Sequence, residues 1–500
     1  MRCGRLSGRR PRRRLREPCS CLVILANRSR LTPVNFQDTQ LNGVETTLAS
    51  LSGLAEQLRA RGNRLYLVGG SVRDALLSRL GHDLDFTTDA RPEVVQEILD
   101  GWAETVWDTG IDFGTVSAVY KGQQIEITTF RSDSYDGDSR NPEVVFGDSL
   151  EGDLVRRDFK VNAMAIELKE DGYEFHDPMG GLTDLKNKIL DTPDKPEISF
   201  HDDPLRMLRA ARFASQLEFD VAERVKTAMT EMAGEIRRIT VERVQVELDK
   251  LMLGKNPETG IELLVDTGIL DHIFPEIPAL RMAPDEHAQH KDVYAHSLTV
   301  LRQAIDQEEE PDLILRWAAL LHDVGKPDTR DTTDGKVTFH HHEVVGAKLV
   351  RKRLRKLKYP KATIEAIGQL VYLHMRFHGF GEGQWTDSAV RRYVTDAGDL
   401  LPRLHKIVRA DCTTRNAKKA RRLQRTYDHL EERIAEIAAK EDLARVRPDL
   451  DGNEIMEILG LNPGPEVGQA WSYLKELRLE EGPLERDVAI AKLREWWESR

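Results

Sequence analysis

Asp83 and Asp85 stand two apart in GHDLDF (81–86), shortly after the glycine pair of LYLVGGSVRDAL (65–76). If residues 83–86 form a strand, alternate side chains face the same way. Both carboxylates then point to one side, and two like charges held that close are costly without a cation. Hard divalent ions such as Mg²⁺ take oxygen ligands and bring a substrate's phosphates with them. Gly69, Gly70 and Ser71 would offer backbone N–H groups to those phosphates where the next helix starts, with Arg73 on that helix. An isolated Asp-x-Asp is most often an ordinary exposed acidic strand. Placed after a glycine turn, it points to metal-dependent nucleotidyl transfer.

Two further clusters could handle a nucleotide. LVRRDFKVNAMAI (154–166) puts Arg156 and Arg157 beside Asp158, with Asn162 one turn on. Arginine forks match phosphate oxygens, and Asn162 could orient a ribose or a backbone group. HDDPLRMLRAARFASQL (201–217) reads as a helix in which Asp203, Arg206, Arg209 and Arg212 share one face. Leu205, Leu208 and Phe213 face elsewhere. Asp203 accepts from the exocyclic amine of cytosine or adenine, and Arg206 donates to the adjacent ring nitrogen. Uracil and guanine present the opposite pattern. One acid and one base would therefore accept C and A and refuse U and G without a nucleic acid template. The plainer alternative is an exposed ion pair worth about 0.2–0.5 kcal/mol.

These pieces occur in a recognisable order. LVGGSVRDALL with DLDF, IEITTFR, RRDFKVNAMAI, GGLTDLKNKIL, DPLRMLRAARFASQLEF and ITVERVQVELDKLMLG cover roughly residues 60 to 260. Together they resemble the class II, bacterial-type CCA-adding tRNA nucleotidyltransferase and poly(A) polymerase family. The resemblance implies a catalytic palm with Asp83 and Asp85, phosphate contacts near Arg156 and Arg157, and base selection by Asp203 and Arg206 in a helical neck. It assigns Glu242, Arg243 and Glu247 to a structural neck motif. The chain departs from the family at Lys160-Val161, often Thr-Ile, and at Asp202, commonly Glu.

A second constellation lies C-terminal to the neck, in HKDVYAHSLTVL, LRWAALLHDVGKP, FHHHEVVGAKLV, VYLHMRF and IVRADCTTRN. His322 and Asp323 are adjacent at the end of an apolar helix, and ligands so placed can converge on one ion with others. The pattern resembles the HD phosphohydrolase domain. The resemblance implies His296, His322, Asp323 and Asp411 as core ligands, with His342 and His374 for a second divalent ion. Among His340, His341 and His342, the HxxxG spacing to Gly346 favours His342. The implied activity is a phosphatase or phosphodiesterase on nucleotides or on a 2′,3′-cyclic phosphate at a damaged RNA end.

The elements that position these groups follow from periodicity and punctuation. Leu48, Leu51, Leu54, Ala55 and Leu58 predict a helix over about 48–61, and ARPEVVQEILD a second with Pro92 in its first turn. Residues 112–130 read as a β-hairpin turning at KGQQ. Its second strand would set Glu126 beside Asp83 and Asp85, as a third carboxylate or as an ordinary solvent-facing residue. Residues 131–155, rich in Asp, Ser and Gly, read as a mobile loop, and we take it as a lever between C and A addition. From about 199 onward the pattern is helical, interrupted at Gly254, Pro275, Pro284, Pro360 and Pro402.

The expected fold is α+β: a polymerase-beta-like nucleotidyltransferase head followed by an all-helical neck, body and HD domain. The boundaries are 1–40 for a disordered basic arm, 41–175 for the head, 176–284 for neck and body, 285–415 for the HD domain and 416–500 for a helical, RNA-binding tail.

Composition narrows the setting. The 500 residues carry a net charge of −11, but residues 1–30 hold ten Arg against one acid, Glu17. The remainder is therefore near −20, which argues against broad non-specific nucleic acid binding. RNA contact would fall to local basic stretches at 351–361 and 416–425. Cys3, Cys19, Cys21 and Cys412 make neither a zinc spacing nor a disulfide framework, in keeping with the cytoplasm. No apolar run approaches the roughly 20 residues that span a bilayer, so no membrane partner is expected. The expected partners are tRNA, CTP and ATP. A poly(A) polymerase, a CC-only or A-only enzyme, and an HD-type hydrolase with a degenerate head remain alternatives.

Overall fold

The computed structural model describes residues 44–500 except 109, 135–142, 148, 283–291, 334–335, 378–384, 414–415 and 444–445. The basic arm expected over 1–40 and the break at Pro284 lie outside the described residues. Among the described residues the head has nine strands: β1 (Leu65–Val68), β2 (Asp83–Thr88), β3 (Thr105–Trp107), β4 (Thr115–Tyr120), β5 (Gln123–Thr129), β6 (Arg131–Ser134), β7 (Glu143–Phe146), β8 (Ala165–Lys169) and β9 (Gly172–His176). Seven of them form one sheet in the order β3-β4-β5-β2-β1-β8-β9. Only the central β2–β5 pair in it is parallel.

Local sequence explains the frame. Lys121 and Gly122 both adopt positive φ, which matches the twist of a tight hairpin turn between β4 and β5. In β5 the buried residues alternate, Ile125, Ile127 and Thr129 in, Glu126 and Thr128 outward. The β2–β5 register sets Asp85 beside Glu126, as the hairpin reading anticipated. The first predicted helix is divided into Val44–Ser50 and Ser52–Ala60, while Pro92 opens its helix as expected. The described part of the polar 131–155 segment contains the antiparallel pair β6–β7 and the helix Leu150–Val155, capped by the Ser149 side chain. The apolar EVVF run and the Ser cap were the overlooked signals.

Beyond the head the described residues are helical apart from loops and two small strand pairs. Pro402 falls in the first turn of Leu401–Ala410 and starts that helix rather than breaking it. One continuous apolar core runs from the head through the neck and into the helices around Trp317. A separate core of Leu450, Ile455, Ala470, Leu474, Ala489 and Leu493 holds the last three helices together.

Two neck helices, Leu205–Leu217 and Val241–Met252, pack side by side. The second is clamped at its C-terminal end by Arg316, whose Nη1 donates to the carbonyls of Met252 and Gly254, both at 2.7 Å. Arg316 also pairs with Glu308 at 2.7 Å, and both side chains are buried. Arg316→Ala should therefore strand a buried carboxylate and two carbonyls, costing about 3–5 kcal/mol. Thermal denaturation should show a clearly lowered Tm; an unchanged Tm would contradict this clamp.

Candidate functional site

The strand β2 carries Asp83 and Asp85 on the same exposed face, with buried Leu84 between them. Both line a cleft of about 990 Å³ together with Gly69, Gly70, Glu126, Arg156, Arg157, Asp203, Arg206, Arg209 and Arg212. Burial pushes the Asp85 carboxyl above its usual range; Arg157 opposes this, while Glu126 and Asp83 add to it. A cluster of carboxylates that raises one of its own members is the electrostatic setting that a divalent cation relieves. Oxygen donors of this kind suit a hard ion such as Mg²⁺.

Gly69 opens the helix Gly69–Leu76 directly after β1, with φ +69. A Cβ there would lie 2.9 Å from Arg157 Nη1 and 3.6 Å from Asp85 Oδ2. The glycine thus lets backbone, arginine and carboxylate share one corner, and the helix start leaves N–H groups open toward it. Ser71 was expected to offer its backbone N–H, and its side chain has a separate task. Its buried hydroxyl accepts from Asp85 N at 2.9 Å and donates to Asp83 O at 3.4 Å. It fixes β2, and it is not among the cleft's lining residues.

The arginines are held from behind by acids. Asp153, fully buried, accepts from Arg156 (3.1 Å) and Arg157 (3.0 Å). Burial alone would raise its carboxyl, but Arg157 and Arg156 outweigh that and hold it below the usual range. Asp158 is likewise buried and held low, because Arg209 and Asn162 overcome the desolvation. Asn162, expected to orient a ribose or a backbone group, lines the cleft, and its amide links the frame, accepting from Arg73 at 2.6 Å and donating to Asp158 at 2.9 Å. Arg73 also pairs with Asp74 at 2.8 Å. Arg212 is buried against Glu247, and desolvation lowers its guanidinium to about 10.

Asp203 and Arg206 do not lie on one continuous helix: Asp203 closes the helix Pro196–Asp202 and Pro204 precedes Leu205–Leu217. Both still line the cleft. Arg206 donates to Ser199 Oγ at 2.8 Å and to the Arg156 carbonyl at 2.5 Å. Asp203 pairs with Arg243 at 2.9 Å. Arg243, Gln216 and Lys250 also line the cleft, and sequence reasoning gave none of them a place there. The signal was available in ITVERVQVELDKLMLG: Arg243, Glu247 and Lys250 recur at helical spacing on one face.

The second constellation is assembled from helix ends. His296 lies on Val293–Ile305, and His322 follows Leu313–Leu321. His342 opens His342–Lys356, His374 follows Lys361–Leu373, and Asp411 follows Leu401–Ala410. Two triads result, His296–His322–Asp411 and Asp323–His342–His374, each with donor atoms within 4.8 Å of one another. Asp323 joins them: Oδ2 lies 3.2 Å from His322 Nε2, and Oδ1 lies 3.3 Å from His342 Nε2. In His322, His342 and His374, Nδ1 faces a backbone carbonyl at 2.8, 2.8 and 2.6 Å. That fixes the tautomer and leaves Nε2 for an ion. Desolvation and the neighbouring His322 push His374 down to about 3, so its ring is neutral. The donor set therefore fits one or two divalent cations.

His340 and His341 are exposed, so His342 is the member of HHH that joins the cluster. Gly325 explains the tight turn after Asp323: a Cβ there would sit 2.1 Å from the His342 carbonyl. Lys326, unnoticed in the sequence, pairs with Asp323 at 2.6 Å.

Known proteins share this arrangement. Residues 65–191 match the Poly A polymerase head domain, 218–280 a probable RNA and SrmB-binding site of polymerase A, and 293–438 the HD domain. An A-adding tRNA nucleotidyltransferase of Deinococcus radiodurans is 36% identical over 350 residues, 68% of this chain and 78% of that one. A CCA-adding enzyme of Streptococcus thermophilus is 30% identical over 437 residues, 87% of this chain and 93% of that one. The chain spans about half the length of several further CCA-adding enzymes it matches. A crystal structure of Bacillus stearothermophilus CCA-adding enzyme in complex with CTP superimposes with a TM-score of 0.64 at 28% identity, over 91% of this chain and 98% of that one. With head, neck and HD regions matched in order, the chain belongs to the family of tRNA nucleotidyltransferases and poly(A) polymerases.

Proposed function

We propose that this protein adds C, C and A to the 3′ end of tRNA from CTP and ATP, without a nucleic acid template. The observation that carries the reading is the acidic face of β2 opposite a wall of arginines in one cleft. The relatives named CCA-adding and the CTP-bound structure support it. The terminal 3′-hydroxyl of the RNA attacks the α-phosphorus of the nucleotide; a phosphodiester forms, pyrophosphate leaves and the hydroxyl proton is lost. Asp83 and Asp85, with Glu126 alongside, would hold Mg²⁺, which when bound acidifies the hydroxyl and neutralises phosphate charge. Gly69, Gly70, Arg73, Arg156, Arg157, Arg209 and Arg212 orient the triphosphate. Asp203 and Arg206 read the base edge, so an incoming base displaces Arg243 from Asp203. We assign the head to 41–175, the neck and body to 176–284, the HD region to 285–415 and an RNA-holding tail to 416–500, all working in the cytoplasm. The exposed basic face of Ala417–Ala438 suits the RNA backbone, which A-form RNA presents in place of readable bases.

The A-adding relative, 36% identical against 30% for the longer CCA-adding match, favours one second reading, addition of the final A alone. Sequencing the products from tRNAs lacking one, two or three terminal nucleotides decides. Full CCA from the shortest tRNA with CTP and ATP is expected; A added only to a tRNA already ending in CC selects the alternative.

We further propose that the HD cluster is a phosphohydrolase centre for nucleotides or for a 2′,3′-cyclic phosphate at an RNA end. Its ligands are His296, His322, Asp323 and Asp411, with His342 and His374 for a second ion; a cation bound there supplies Lewis acidity toward a phosphate ester.

Two substitutions test the two centres separately. Asp85→Asn should lower kcat for nucleotide addition by at least about 10²-fold without lowering Tm; addition at the wild-type rate would refute the role. Gly325→Ala should reduce the tightly bound divalent metal, measured by elemental analysis after gel filtration, and abolish phosphoesterase activity. Nucleotide addition should persist. Unchanged metal content would contradict the assignment of the HD ligands.

A further inference from the structure

Phe213 lies on the neck helix Leu205–Leu217, buried apart from the edge that borders the cleft. Three guanidiniums surround its ring. Arg212 Cζ lies 4.2 Å from the ring centroid, Arg73 Cζ 5.0 Å and Arg209 Cζ 5.6 Å. Phe159 closes the far side edge-on, with centroids 5.8 Å apart. All three arginines line the cleft. They come from different places, Arg73 from the helix after the glycine turn and the others from the neck. Phe213 is thus the meeting point of the head's phosphate corner and the neck.

Three like charges around one point repel. Each is paired with an acid: Asp74 with Arg73, Asp158 with Arg209 and Glu247 with Arg212. The Arg212–Glu247 pair is loose, 3.3–3.4 Å, and Arg212 Nε and Glu247 Oε2 make no hydrogen bond among the described residues. What lies between the three cations is one phenyl ring, whose electron-rich face attracts a cation where water is excluded. A leucine would fill similar space without that attraction.

We propose that Phe213 is a positioning residue for nucleotide binding. Its ring holds the guanidiniums of Arg73, Arg209 and Arg212 so that they present one convergent positive charge to the triphosphate. The inference rests on the nucleotidyl-transfer reading of this cleft.

The test uses the full chain with Phe213→Leu and Phe213→Tyr. Nucleotide KM is measured with tRNA saturating, inorganic tripolyphosphate binding by calorimetry, and Tm by scanning fluorimetry. Phe213→Leu should raise nucleotide KM and weaken tripolyphosphate binding in parallel, each by about tenfold, with a much smaller change in kcat. Phe213→Tyr, which keeps the ring, should restore both. Unchanged KM and tripolyphosphate affinity in Phe213→Leu overturn the proposal and leave the transfer reading standing. Equal losses in the Leu and Tyr variants also overturn it, since the site then needs only this residue's packing. A wild-type protein that binds no tripolyphosphate overturns both.

Discussion

Asp83 and Asp85 place two like charges on one face of one strand, and the surrounding head is arranged to keep them there. Ser71 bonds the backbone of both residues through its hydroxyl. Leu84 and Phe86, on the opposite face, are buried in the core. Glu126 adds a third carboxylate from the neighbouring strand. The cost of crowding anions falls when positive charge is fixed nearby, and Arg157, held by buried Asp153, lies against Asp85 and Gly69. The cleft is thus a balance of opposed charges in which few groups are free to relax.

The same logic extends outward. Acids that never reach the cleft, Asp153 and Glu247, serve as anchors for arginines that do. The second neck helix then carries this frame into the C-terminal half. Arg243 meets Asp203 near its start, Asp249 accepts from Tyr359 at 2.5 Å near its end, and Arg316 caps its last carbonyls. Arg316 belongs to the helix that ends at His322. The two centres are therefore built on one continuous core, while the last three helices keep a core of their own.

Much of this was legible in the sequence because the informative residues are local. Asp-x-Asp needs only strand alternation to face one way, and a glycine before a helix needs only a positive φ. His342 could be chosen over its two neighbours because Gly346 marks where two backbones approach: a Cβ there would lie 3.2 Å from Gly325 N. What the sequence concealed were pairings between distant segments. Asn162 carries the right atoms for a ligand, but Arg73, 89 positions away, bonds its amide oxygen, and nothing local in the sequence marks the Ser71 hydroxyl as a tie to β2. Arg243 passed for a structural residue because its partner lies 40 positions away. The β6–β7 strand pair within 131–155 was hidden by composition, since Asp and Ser in a strand look like loop.

The central claim is that Asp83 and Asp85 together grip the ion that accompanies the nucleotide. The most direct measurement is a crystal structure of the protein with Mn²⁺ and a non-hydrolysable CTP analogue, located by anomalous scattering. The account predicts a manganese peak within about 2.0–2.3 Å of oxygens from both carboxylates and of the nucleotide's phosphates. A nucleotide bound in the cleft with no metal between it and that pair, or with either carboxylate turned away, would contradict it.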